Sequence, residues 1–186
     1  MTPLTHTRRL SVATLLVILA MLLLFSGQVS AKHLDTKPAP DFPQRAADGW
    51  INSSPLTMAG LAGKVLLVDF WTFDCWNCYR SFPWLKGVER QFEETDFQVI
   101  GVHSPEFEHE RDLDKVRAKV AEFGLEHPIM LDNDFAYWKA LGNQYWPSYY
   151  LIDKQGRLRY SFIGETHANT GQAQAIETAI KALLAE

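Results

Sequence analysis

Residues 65–83 read VLLVDFWTFDCWNCYRSFP. The first seven, Val65–Trp71, follow Gly63-Lys64 as a short, mostly apolar run. Their length and β-branched content predict a strand buried on both faces. Asp69 is the polar exception. The run ends just before Cys75 and Cys78, the only two cysteines of the 186-residue chain. Residues 75–93 then predict a helix, with Phe82, Leu85, Val88 and Phe92 as an apolar stripe and Pro83 as a kink inside it. A buried strand thus delivers two thiols to the start of a helix.

The pattern continues downstream. Residues 97–102, FQVIGV, predict a second buried strand. Residues 108–123 predict an amphipathic helix with Leu113, Val116, Val120 and Phe123 on one side and Gly124 as its stop. Residues 128–131 predict a short strand, and 134–141 a short helix closed by Gly142. Residues 149–153 and 158–163 flank Lys154-Gln155-Gly156 and predict a hairpin. The last helix spans about residues 168–184, with Ile176, Ala179, Ile180, Leu183 and Leu184 inward. Alternating buried strands and helices with a terminal hairpin predict an α/β sandwich on a mixed sheet.

The first 31 residues differ. Arg8 and Arg9 precede the apolar run Leu10–Phe25, and Val29-Ser30-Ala31 offers small residues for a signal peptidase. This reads as an export signal, or as an N-terminal membrane anchor over residues 10–25 if it is retained. Residues 32–48, KHLDTKPAPDFPQRAAD, hold three prolines and scattered charge, and predict an extended lead-in or tether. Residues 49–186 form the domain. Beyond residue 31 there are 16 basic and 22 acidic side chains, a net charge of −6, which argues against nucleic-acid binding.

Export places the two cysteines in an oxidising compartment. A structural staple is one use for them, but so small a loop gives only about 2 kcal/mol in the chain-entropy model and ties nothing distant together. Zinc needs three or four ligands, and the nearest histidine in sequence is His103, so no metal is expected. A working redox pair fits the surroundings better. A thiolate at Cys75 would meet the free N–H groups and positive dipole end of a helix, which brings activated cysteines down to about 3.5–7.5. Cys78, one turn later on the same face, can resolve a mixed disulfide formed at Cys75.

The chain resembles the thioredoxin-like superfamily. The resemblance is nearest to its extracytoplasmic TlpA/ResA-type members and to the C-terminal domain of the DipZ type. Val68-Asp69-Phe70-Trp71 before the cysteines, Pro83 five residues after the second, and Trp146-Pro147 before the hairpin carry it. Trp50-Ile51-Asn52, Pro55-Leu56-Thr57, Gly63-Lys64-Val65 and the stretch Gly101–Phe107 resemble the DipZ-type domain. The resemblance covers roughly residues 40–185. It implies a thioredoxin-like fold with a mixed central sheet flanked by helices, a βα insertion before the proline loop, and a cis Trp146–Pro147 bond. It departs between the cysteines, where thioredoxins carry Gly-Pro and this chain carries Trp76-Asn77, so their redox poise is not carried over.

The resemblance also implies that Asp69 takes the proton of Cys78 during resolution; the ordinary alternative is a solvated, edge-pointing acid. Pro147 in cis would expose the backbone of Trp146 to a substrate strand. Trp71, Trp76 and Trp146 could form an apolar collar, with Trp71 the better core candidate and Trp76 the better surface one. His103 and Glu106 end the second strand on the cysteine side, where sites gather, or form a capped turn with Ser104-Pro105. Residues 106–114 read as a solvated helix start.

These features predict an exported thiol–disulfide oxidoreductase that reduces protein disulfides, periplasmic or otherwise extracytoplasmic, needing no cofactor. Its electrons would come from a membrane thiol carrier of the DipZ/CcdA type. The alternative is a thiol peroxidase of the peroxiredoxin type. Thr72 stands three before Cys75 as that chemistry requires, but Val68 occupies the place of its usual proline. A non-catalytic binding module is a third reading, and the intact cysteine pair argues against it.

Overall fold

The computed structural model describes residues 32–186. The proposed export segment lies outside the described residues. Strands β1 (Lys32–Pro38), β2 (Trp50–Ile51), β3 (Val65–Trp71), β4 (Phe97–His103), β5 (Ile129–Leu131), β6 (Ser148–Ile152) and β7 (Arg157–Ile163) form one sheet in the order β1-β7-β6-β3-β4-β5-β2. The helices are α1 (Trp76–Phe92), α2 (Leu113–Phe123), α3 (Ala136–Leu141) and α4 (Gly171–Ala185).

β3 is the centre, and every one of its residues is buried. It runs parallel to β4 and antiparallel to β6, so the sheet is mixed, as its sequence pattern predicts. Because side chains alternate across a strand, β3 feeds two cores. Val65, Leu67 and Trp71 pack with Phe82, Leu85 and Val88 of α1, Val116 and Val120 of α2, and Ile176 and Ile180 of α4. Leu66, Val68 and Phe70 pack on the other face with Phe42, Trp50 and Tyr137. The β5–α3 unit stands between α2 and the Trp146-Pro147 loop, in the place expected for the insertion.

Three segments differ from expectation. Lys32–Pro38, expected as a lead-in, is the outer strand, antiparallel to β7. Its backbone pairing, rather than an apolar pattern, makes it a strand. The lead-in also delivers Phe42, which has no exposure, into the second core against Trp50 and Tyr137. The helix expected over 108–123 is broken. Residues Glu108–Arg111 form a single 3₁₀ turn, and α2 starts only after Asp112, whose carboxylate accepts from the N–H groups of Asp114 and Lys115. The short helix starts two residues late because Phe135 takes a left-handed conformation (φ 59°). Its first N–H groups are capped from outside: Asp132, fully buried, accepts from Tyr137 and Trp138 at 2.9 Å each.

Candidate active site

β3 leads into the turn Thr72-Phe73-Asp74, of which only Asp74 is exposed, and Cys75 is the N-cap of α1. The backbone there turns because Cys75 N–H donates to Thr72 O. Cys75 and Cys78 form a disulfide with Cα atoms 5.3 Å apart. Cys78 N–H donates to Cys75 Sγ at 3.2 Å, one of the unpaired helix-start donors turned on this sulfur. Cys75 is half-buried, whereas Cys78 is 1% exposed. Of the two sulfurs, Cys75 is the one a large molecule can reach.

Asp69 is not solvated. It is 2% exposed, and its Oδ1 has no partner among the described residues. Its neighbours Leu67 and Trp71 face the α1 core, so Asp69 points to the side that also holds Cys78. Burial pushes its carboxyl up to about 8, and the charge of Glu89 adds to the rise.

The Trp146–Pro147 bond is cis, and Gly164 N–H donates to Pro147 O at 2.9 Å. The three tryptophans do not form a collar. Trp71 is fully buried. Trp146 is half-buried, its indole packed 4.3 Å from that of Trp138 and its Nε1–H donated to Ser104 O. Trp76 alone stands in solvent, 66% exposed and stacked on Tyr79. Among the described residues, the other large exposed apolar side chains are Tyr79, Phe107, Tyr145 and Ile163. All lie at one end of the sheet: Phe107 follows β4, Tyr145 precedes β6, Ile163 ends β7, and Trp76 and Tyr79 open α1. That is the end at which Cys75 sits.

His103 closes β4, fully buried, and burial lowers its pKa to about 4, so it is neutral at physiological pH. It pairs with Thr72, its Nε2 3.3 Å from Thr72 Oγ1. Ser104 Oγ–H donates to Asp132. Glu106 is exposed and engages through its backbone.

The expectation of a solvated helix start over 106–114 fails at Glu110. Its side chain has no exposure. Oε1 accepts from Asp74 N–H at 3.0 Å, and Oε2 accepts from the N–H groups of Glu106 and Phe107. A second tie joins the same loops, His109 Nε2 to Asp74 Oδ2 at 2.6 Å. Glu110 therefore fastens the turn before Cys75 to the segment after β4. The spacing Phe107-x-x-Glu110 was its one local signal, since an acid three residues into a turn reaches back to the turn's first N–H. Among the described residues, no group of three or more His, Cys, Asp or Glu is placed to hold a metal ion.

This geometry has known counterparts. The Redoxin family model matches residues 35–180. The protein DipZ of Mycobacterium bovis is 38% identical over 149 residues, which cover 78% of this chain and 20% of that protein. The chain thus spans about a fifth of the length of this relative. The thiol-disulfide oxidoreductase YkuV of Bacillus subtilis is 30% identical over 124 residues, covering 67% of this chain and 82% of YkuV. A putative thiol:disulfide interchange protein DsbE from Chlorobium tepidum superposes with a TM-score of 0.69 at 23% identity, over 82% of this chain and 99% of that one. It shows the shared thioredoxin-like fold.

Proposed function

The chain belongs to the Redoxin family, among thioredoxin-like thiol–disulfide oxidoreductases, and from that premise we propose that it reduces protein disulfides outside the cytoplasm with Cys75 and Cys78. The observation that carries the reading is the unequal setting of the two sulfurs. Cys75 is the accessible N-cap, faced by a helix-start N–H, and Cys78 is shielded behind it.

The chemistry follows from those positions. The Cys75 thiolate attacks one sulfur of a substrate disulfide, forms a mixed disulfide and expels the other sulfur as a thiolate. Cys78 then loses its proton to Asp69 in the ionised fraction, which a carboxyl raised to about 8 keeps small at neutral pH but strongly basic, and attacks Cys75 Sγ. The second substrate thiolate leaves, and the enzyme holds the Cys75–Cys78 disulfide. The substrate chain lies along the backbone at Trp146-Pro147, with its apolar side chains against Trp76 and the exposed groups around it.

The direction rests on supply. An exported dithiol among oxidants stays reduced only if electrons arrive continually. The similarity to DipZ supports a membrane thiol carrier of the DipZ/CcdA type as donor. Residues 10–25, if retained, would hold the domain at the membrane. Among the described residues no helix is long and apolar enough to cross one.

Insulin reduction measured beside peroxide consumption separates this reading from a thiol peroxidase. The expected result is insulin reduction with negligible peroxide turnover; the reverse would put the peroxidase in its place. The in vivo redox state of the pair, trapped by acid and tagged by alkylation, tests direction. Cysteines that are mostly reduced, and that become oxidised when the carrier is deleted, support reduction. A pair oxidised in both strains makes the protein an oxidant.

A further inference from the structure

The buried polar atoms on the α1 side of the sheet that have no hydrogen-bond partner among the described residues include Asp69 Oδ1, Trp71 Nε1 and His127 Nε2. The three residues border Gly101. Asp69 and Gly101 are register partners in β3 and β4, so a side chain at position 101 would stand beside that of Asp69. Gly101 has none. The position its Cβ would take lies 3.0 Å from His127 Nε2 and 3.1 Å from Trp71 Nε1. The glycine is what lets the imidazole come this close to the sheet.

His127 is held there from two sides. Asn52 Nδ2–H donates to the carbonyls of Leu125 and His127 and fixes the loop between α2 and β5. His127 Nδ1 lies 3.1 Å from Glu89 Oε1. A carboxylate only accepts, so Nδ1 carries the proton and Nε2 is left as an acceptor facing inward. Glu89 is the partly exposed member, with 25% of its side chain in solvent. It lines a surface groove with Lys86, Arg90, Glu126 and His127, next to the start of β4. The cysteines lie at the other end of that strand. Asp69 itself is faced by Glu89 from α1, by Tyr149 from β6, and by the His127 loop.

We infer that His127 and Glu89 are the route by which Asp69 exchanges its proton with solvent, through the groove at the end of α1 remote from the cysteines. The inference rests on the thiol–disulfide reading of the site. After resolution Asp69 holds the proton of Cys78. His127 Nε2 takes that proton through one bridging water while Nδ1 releases its own to Glu89, whose exposed edge passes it to solvent. Reduction of the disulfide by its donor runs the path backwards. Nδ1 takes a proton from the groove, Nε2–H passes its own to Asp69, and Asp69 protonates the departing Cys78 thiolate. One oxidation and one reduction move one proton out and one in, and restore the starting tautomer. Protein substrates exchange electrons at one end of β3, and protons cross at the other.

The test is insulin-reduction turnover by His127→Ala, alone, with imidazole and with 1-methylimidazole. His127→Ala should slow turnover about ten-fold or more, and imidazole should restore much of it. 1-Methylimidazole fills the same space but cannot take a proton on one nitrogen and release one from the other, so it should not. The attack step, read as mixed-disulfide formation in a Cys78→Ser background, should keep its rate. Glu89→Gln, a change at a partly exposed position, should also slow turnover. Wild-type turnover in both variants, or equal restoration by the two imidazoles, overturns the relay. A wild-type protein that reduces no insulin overturns the oxidoreductase reading and the relay with it.

Discussion

Asp74 N–H donates to the buried carboxylate of Glu110 at 3.0 Å, across 36 positions of sequence. The residue just before the reactive N-cap is therefore held by a side chain from the turn after β4. In Glu110→Ala the N–H groups of Asp74, Glu106 and Phe107 all lose their acceptor. A buried unsatisfied donor costs about 1–3 kcal/mol, and water will reach some of these, so a loss of about 3 kcal/mol in urea unfolding is expected. Glu110→Gln keeps one acceptor oxygen and should lose about half as much. A Glu110→Ala protein within about 1 kcal/mol of wild type would remove Glu110 from the support of the cysteine turn.

Asp69 and His103 should leave opposite marks on stability against pH. Asp69 titrates at about 8 in the fold, against 3.8 for a solvated aspartate. Between those values the folded state keeps a proton that the unfolded chain gives up, so stability falls as pH rises, by about 1.4 kcal/mol per pH unit. His103 titrates at about 4, against 6.5 for a solvated histidine. Between those values the unfolded chain holds the extra proton, and stability rises with pH at the same slope. From about pH 4 to 6.5 the two cancel, and above 6.5 the Asp69 slope stands alone until about pH 8. Asp69→Asn should abolish that decline and uncover the His103 rise below it. Urea midpoints across pH check this, and an unchanged profile in Asp69→Asn would show that Asp69 is ionised in the fold.

The order of the two thiols can be read by trapping. Cys78→Ser should accumulate mixed disulfides with substrates, because an attack by Cys75 would find no second thiol to resolve it. Cys75→Ser should accumulate none. Adducts found on the Cys75→Ser protein would reverse the assignment.

Phe42 tests where the domain begins. It is fully buried against Trp50 and Tyr137, and removal of a buried Phe costs about 3–5 kcal/mol. Phe42→Ala should show that loss in urea unfolding. A change below about 1 kcal/mol would return residues 32–48 to the status of a tether.

The parts legible in the sequence were those whose burial is written in the local pattern. Val65–Trp71 and Phe97–His103 are buried nearly throughout, so their apolar runs announce them. The acid in the first run was visible for the same reason, since a carboxyl inside such a strand has nowhere else to go. β1 and β2 were not legible. Lys32–Pro38 is largely polar and becomes a strand only by pairing with β7, and Trp50–Ile51 is two residues set by β5. Glu110 looked like one more surface acid because the contact that ties it to the cysteine turn comes from a loop 36 residues away. Trp146 was expected in a collar with Trp71 and Trp76, but Ser104 O and Trp138 hold its indole. His127 and Glu89 are separated by 38 positions and meet only once α1 lies across the sheet.

The solvent-facing Trp76, Tyr79, Phe107, Tyr145 and Ile163 set what calorimetry should record when a substrate docks. Covering these side chains removes apolar surface from water, so the heat capacity of association should be clearly negative. The five side chains themselves carry no charge, so affinity that comes from covering them should hardly change when salt is added. Titration of the Cys78→Ser protein with an unfolded polypeptide, at two temperatures and two ionic strengths, gives both quantities. Trp76→Ala should shrink the heat-capacity term and leave the salt response as it was. A partner chosen by its exposed greasy residues rather than by its charge would be one that has not yet finished folding.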